Sequence, residues 1–175
     1  MLRRSLCLMV FAALASPVLA ADPAPDSAAV RPMPAPTTDA FLARTVAASV
    51  FEVESSRLAL GKSRSSAVRA FADRVIADHA LATDMFDRAV AEAKLAMPAD
   101  QMDPQQRLVV QDLKTKNATA FDKQYVQAQY TAHVETVEMF RAYAAGGDNA
   151  RLQQFARDLL PTLREHLAQV KKLRK

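Results

Sequence analysis

From Asp39 to Lys175, glycine occurs only at positions 61, 146 and 147, and proline only at 98, 104 and 161. Tight turns and chain reversals lean on those two residues. A stretch this poor in them therefore folds as long uninterrupted elements separated by a few breaks. Alanine, leucine, glutamine, arginine and lysine dominate the remainder, and all are good helix formers. The expected fold class is all-α.

Four segments carry apolar residues at a 3.6-residue period. The first starts after the cap-like Thr38-Asp39 and runs from about Ala40 to Leu60, with Gly61 ending it and GKSRSS as the turn. The second runs from about Ser66 to Ala96, with Val68, Phe71, Val75, His79 and Phe86 on one face. MPADQMDP breaks the chain, Pro104 opens a short helix through Leu113, and TKNAT interrupts it. The third long helix runs from about Ala120 to Ala144, Gly146-Gly147 close it, and Asp148 or Asn149 caps a fourth that continues to the end. Short turns within each pair give two antiparallel helical hairpins joined by the longer 97–119 crossing, which is a four-helix bundle.

The residues before Asp39 read differently. Arg3 and Arg4, the apolar run LCLMVFAALA and the small-residue stretch SPVLA have the pattern of a secretory signal over residues 1–20. Residues 21–38 hold five of the nine prolines and read as a disordered linker. The bundle domain is then 39–175, periplasmic after cleavage, with outer-membrane association open. Cys7 is the only cysteine and lies inside the signal, so cysteine-based metal or redox chemistry is excluded from the mature chain. Losing Arg3 and Arg4 takes the net charge from +4 to +2 (21 basic against 19 acidic). That is too mild for a nucleic-acid partner. The basic end KKLRK reads first as a solvated helix terminus matched to the helix dipole, and second as a weak contact for anionic lipid or polymer at the envelope.

The three histidines carry the chemistry. At about 100° per residue, His79, His133 and His166 each fall on the apolar stripe of a different helix, and Glu52 sits at the edge of the first helix's apolar arc. Imidazoles and a carboxylate converging inside a bundle suit a divalent metal: iron, zinc, manganese or copper. The simpler alternative is a set of core histidines hydrogen-bonded to their neighbours. Counted from the hairpin turns, His133 and His166 differ in level by about 8 Å at 1.5 Å per residue. Collecting all three imidazoles therefore calls for a register shift, for which a kink at Pro161 is the candidate. Asp78 and Glu165 each precede a histidine and are expected to pair with arginine or hold a neighbouring helix. No glycine-rich phosphate loop, Ser-His-Asp spacing or zinc protease motif is present.

FLARTVAASVFEVESSRLAL, VRAFADRVIADHALA, AFDKQYVQAQYTAHVETVEMF and LQQFARDLLPTLREHLAQV, in this order and spacing, resemble the bacterial domain-of-unknown-function family 4142, often labelled predicted outer membrane protein. The resemblance implies an exported, ferritin-like four-helix bundle and carries no activity with it. Ferritin-like di-iron proteins use Glu-x-x-His on two of their helices. Here Ile76 stands three residues before His79 and Leu163 three before His166, so a di-iron site is not inherited. The reading is a non-enzymatic binding or envelope and stress protein. The alternatives are a metal-dependent redox or storage protein with an altered centre, and a purely structural bundle.

Overall fold

The structure, a computed structural model, describes residues 34–174. The expected signal segment and all but the end of the expected linker lie outside the described residues. Five α-helices follow one another with no strand among the described residues: α1 (Thr38–Lys62), α2 (Ser66–Glu92), α3 (Pro104–Thr115), α4 (Ala118–Gly146) and α5 (Ala150–Leu173). None is long and apolar enough to cross a membrane.

Every helix starts at a residue whose side chain caps a free backbone N–H. Thr37, Ser65, Asp103, Asn117 and Asn149 accept from the second or third amide of α1 to α5 in turn. At α3 the cap is reciprocal: Asp103 accepts from the Gln106 amide while the Gln106 side chain accepts from the Asp103 amide. Thr37, rather than Thr38-Asp39, is thus the first cap.

Two helix ends differ from the sequence expectation. Gly61 does not end α1, which continues to Lys62, so the turn to α2 shrinks to Ser63–Ser65. The second long helix stops at Glu92, four residues short. There Lys94 takes a left-handed φ of 57°, the Lys94 amide bonds the Ala91 carbonyl and the Leu95 amide bonds the Val90 carbonyl. This is a Schellman closure built without glycine, sealed by Leu95 packing back on the core.

The four long helices close a ring, α1 against α2 and α4, and α5 against α2 and α4; α3 lies on α1 and α4. The interior is layered. One apolar cluster holds Phe41, Phe86, Phe140, Tyr143 and Phe155. A second holds Phe71, Val75, Leu113, Phe121 and Tyr125. On each long helix a polar residue stands in sequence between its contributions to the two clusters: Glu52, His79, His133 and His166.

Candidate metal centre

His133 and His166 are 0 % and 1 % exposed and Glu52 is 1 % exposed; only His79 reaches the surface, with 12 % of its side chain accessible. Glu52 is therefore not at the edge of the α1 stripe but at its centre. The inward face of α1 reads Phe41, Phe51, Glu52, Ser55, Ser56, Ala59, and its polar half hides that face from an apolar pattern.

All four sequence-predicted residues come together. Glu52 Oε2 lies 2.9 Å from His79 Nε2 and 3.3 Å from His133 Nε2. The His166 ring stands 5.4 Å from that of His133 and 6.5 Å from that of His79, centroid to centroid. α5 runs through Pro161 without a break. His133 lies 13 residues before Gly146 and His166 lies 16 after Ala150. The true mismatch is thus about three residues, ~4.5 Å, which side-chain reach spans.

The outward nitrogens are held by acceptors that fix the tautomers. A carbonyl only accepts, so His133 Nδ1 donates to the Gln129 carbonyl at 2.8 Å. His166 Nε2 donates to the Asp78 carboxylate at 2.8 Å. His79 Nδ1 meets the Ser49 hydroxyl at 2.9 Å, a group able to donate or accept. Asp78 is itself paired with Arg74, which also approaches Glu165 at 3.5 Å, the arginine pairing expected for both carboxylates.

What remains inside is a set of polar atoms without partners. Among the described residues, Glu52 Oε1, His133 Nε2 and His166 Nδ1 are buried with no hydrogen-bond partner. His133 Nε2 is near enough to Glu52 Oε2 for an ion pair but lacks hydrogen-bond geometry. Buried polar atoms are rarely left so, because each costs about 1–3 kcal/mol. Burial acts to raise the Glu52 pKa, but His133, His79 and His166 together outweigh it and hold the carboxyl below its ordinary value. Burial lowers the His166 pKa against the opposing hydrogen bond to Asp78, which favours the neutral imidazole. As the side chains stand, no group of three or more histidine, cysteine, aspartate or glutamate residues among the described residues is placed so that it could hold a metal ion.

Asp78, expected to pair with arginine or hold a neighbouring helix, does both through Arg74 and His166, whereas sequence reading missed Ser49 and Gln129 as orienting partners. A signal was available: Ser49 is three residues before Glu52 and Gln129 four before His133, the spacing that stacks side chains along a helix face.

No curated protein and no solved structure matches the chain. The model of one protein family does, over residues 23–173, and by that match the chain belongs to the domain of unknown function family DUF4142.

Proposed function

We propose that the protein is an exported, ferritin-like four-helix bundle that binds one divalent transition-metal ion in its polar middle layer. Glu52, His79 and His133 are the first ligands and His166 the fourth. The observation that carries this reading is the group of three buried atoms without a hydrogen-bond partner in one cluster, Glu52 Oε1, His133 Nε2 and His166 Nδ1. A cation answers all three at once. Each imidazole also has its far nitrogen engaged by an oxygen, the arrangement that fixes ring orientation in metal sites. Tetrahedral ligands at about 2.1 Å from an ion stand about 3.4 Å apart, and the nitrogen–oxygen separations of 2.9 and 3.3 Å at Glu52 Oε2 are close to that spacing. Rotation of these side chains closes the set around an ion, since as they stand no such group among the described residues is placed to hold one. For His79 this needs a change of tautomer, which the Ser49 hydroxyl accommodates by turning from donor to acceptor.

Residues 1–20 act as a cleaved signal in this reading, and the mature protein serves the periplasm or outer-membrane face in envelope maintenance or stress, without catalytic turnover. The test is elemental analysis of untagged mature protein prepared without chelator. Near-stoichiometric metal is expected, falling to background in His133→Ala and His166→Ala. Asp78→Asn should keep the fold but weaken metal binding about 10–100-fold, because its carboxylate orients His166. A metal-free protein whose melting temperature ignores added iron, zinc, manganese and copper would leave the histidines as a hydrogen-bonded core layer, and the metal reading would fall.

A further inference from the structure

Beside the histidine cluster lies a cavity of about 250 Å³. Its inner end is polar: Glu52, His79 and Thr45 line it, and both Glu52 Oε1 and Thr45 Oγ1 are buried without a hydrogen-bond partner. Its wall carries Phe86, Phe140 and Phe155. Toward solvent it is bordered by Asp87 and Asp100, both exposed. Among the described residues no lysine or arginine lines it.

We propose that this cavity binds a small organic amine, an ammonium group carried on a single hydrophobic body. Three carboxylates line a space that no lysine or arginine lines, and Glu52, 1 % exposed, cannot satisfy its free oxygen from bulk water. An ammonium has three N–H donors and no acceptor. Glu52 Oε1 is an acceptor ready for it, and Thr45 Oγ1, seven residues earlier on α1, is a second unpartnered acceptor along the same cavity. The three phenylalanine rings supply apolar area for the body of the ligand and ring faces that attract a cation. The volume sits just below the ~300–1,000 Å³ of drug-sized pockets, which selects a ligand of one ring rather than two. Asp87 and Asp100 raise the local concentration of cations at the opening. A bare metal ion would leave the aromatic wall uncovered, and an anion would meet Glu52 directly.

An ammonium and the metal ion of the preceding reading compete for Glu52 Oε1, so the experiment uses chelator-treated full-length mature protein. Isothermal titration compares phenethylamine with phenethyl alcohol and phenylacetate, three probes of one shape and different charge. Phenethylamine should bind at least about tenfold more tightly than the alcohol, and phenylacetate should not bind. Glu52→Gln, checked for helix content by circular dichroism, should erase the preference for the amine. Leu159→Trp, which fills the cavity from α5, should abolish binding. If that variant fails to fold, Thr45→Val serves in its place and should weaken the amine by removing an acceptor. Equal binding of amine and alcohol to the unaltered protein would overturn the proposal, as would no heat from phenethylamine at about 10 mM. Undiminished binding by Glu52→Gln would overturn it as well.

Discussion

The two apolar clusters and the polar layer between them are built from the same four helices, yet they are held together by different physics. In the first cluster Phe41 stacks on Tyr143 at 3.9 Å and tilts against Phe140 at 5.0 Å, and Phe140 in turn meets Phe155 at 5.7 Å. Such contacts are non-directional in the main and gain free energy from every apolar area removed from water. In the polar layer a buried carboxylate, three imidazoles and the Gln129 amide satisfy one another incompletely, so the layer gives away stability that leucines at the same positions would supply. The difference teaches where to look for function. A fold that surrounds unsatisfied groups with two well-packed layers has fixed their positions at a cost, and a bound cation is the proposed offset.

The largest expected effect tests the apolar side of this comparison. Phe140→Ala empties a site touching Phe41 and Phe155 and should cost about 3–5 kcal/mol in urea unfolding, the range for deleting a buried aromatic ring. A loss below about 1 kcal/mol would mean that the cluster does not carry the fold.

A middle-sized effect sharpens the comparison at the bundle's end. A Cβ on Gly147 would lie 2.5 Å from the Tyr143 ring. That ring cannot yield, because it stacks on Phe41 and its hydroxyl meets the Thr38 hydroxyl at 2.6 Å. Gly147 has an ordinary φ of −63°, so the requirement is for space and not for backbone freedom. Gly147→Ala should therefore lose about 1–3 kcal/mol through overpacking, read as a lowered melting temperature; an unchanged value would show that the ring moves freely.

The smallest effect separates the layers by pH. His166 is held below the ordinary imidazole value of 6.5, chiefly by burial. The unfolded chain then takes up a proton at His166 before the folded chain does, and stability falls as pH drops through about 6.5. A second decline follows at lower pH. Glu52 and Asp78 are held below their ordinary values, against burial, by their imidazole and arginine neighbours. Their contribution is complete above the usual carboxyl range and is lost as they protonate. Tyr125 and Tyr143, in the apolar clusters, are pushed upward by burial and stay silent over this range. Metal-free His166→Gln should lack the first decline. If it keeps that decline undiminished in chemical denaturation from pH 8 to 5.5, the polar layer is not its source.

The helices were legible because their signals are local. Capping oxygens at Thr37, Ser65, Asp103, Asn117 and Asn149 act within one turn, and apolar periodicity places His79, His133 and His166 on inward faces. The end of α2 escaped, because Lys94 adopts a glycine-like conformation that only the return of Leu95 to the core makes worthwhile. Glu52 was legible as a candidate but not as a centre, since Ser55 and Ser56 share its face and dilute the apolar pattern.

The amino-acid sequence by itself determined that this chain is helical, where most helices begin, and that its histidines point inward, because those properties depend on neighbours within about one or two turns. Only the tertiary structure decided that Glu52 and the three histidines share one level and that the cavity opens onto Glu52. It likewise decided that three buried polar atoms are left without hydrogen-bond partners. These depend on how far each helix slides and rotates against the others, a register set by the summed packing of two apolar layers rather than by any residue that the sequence displays on its own.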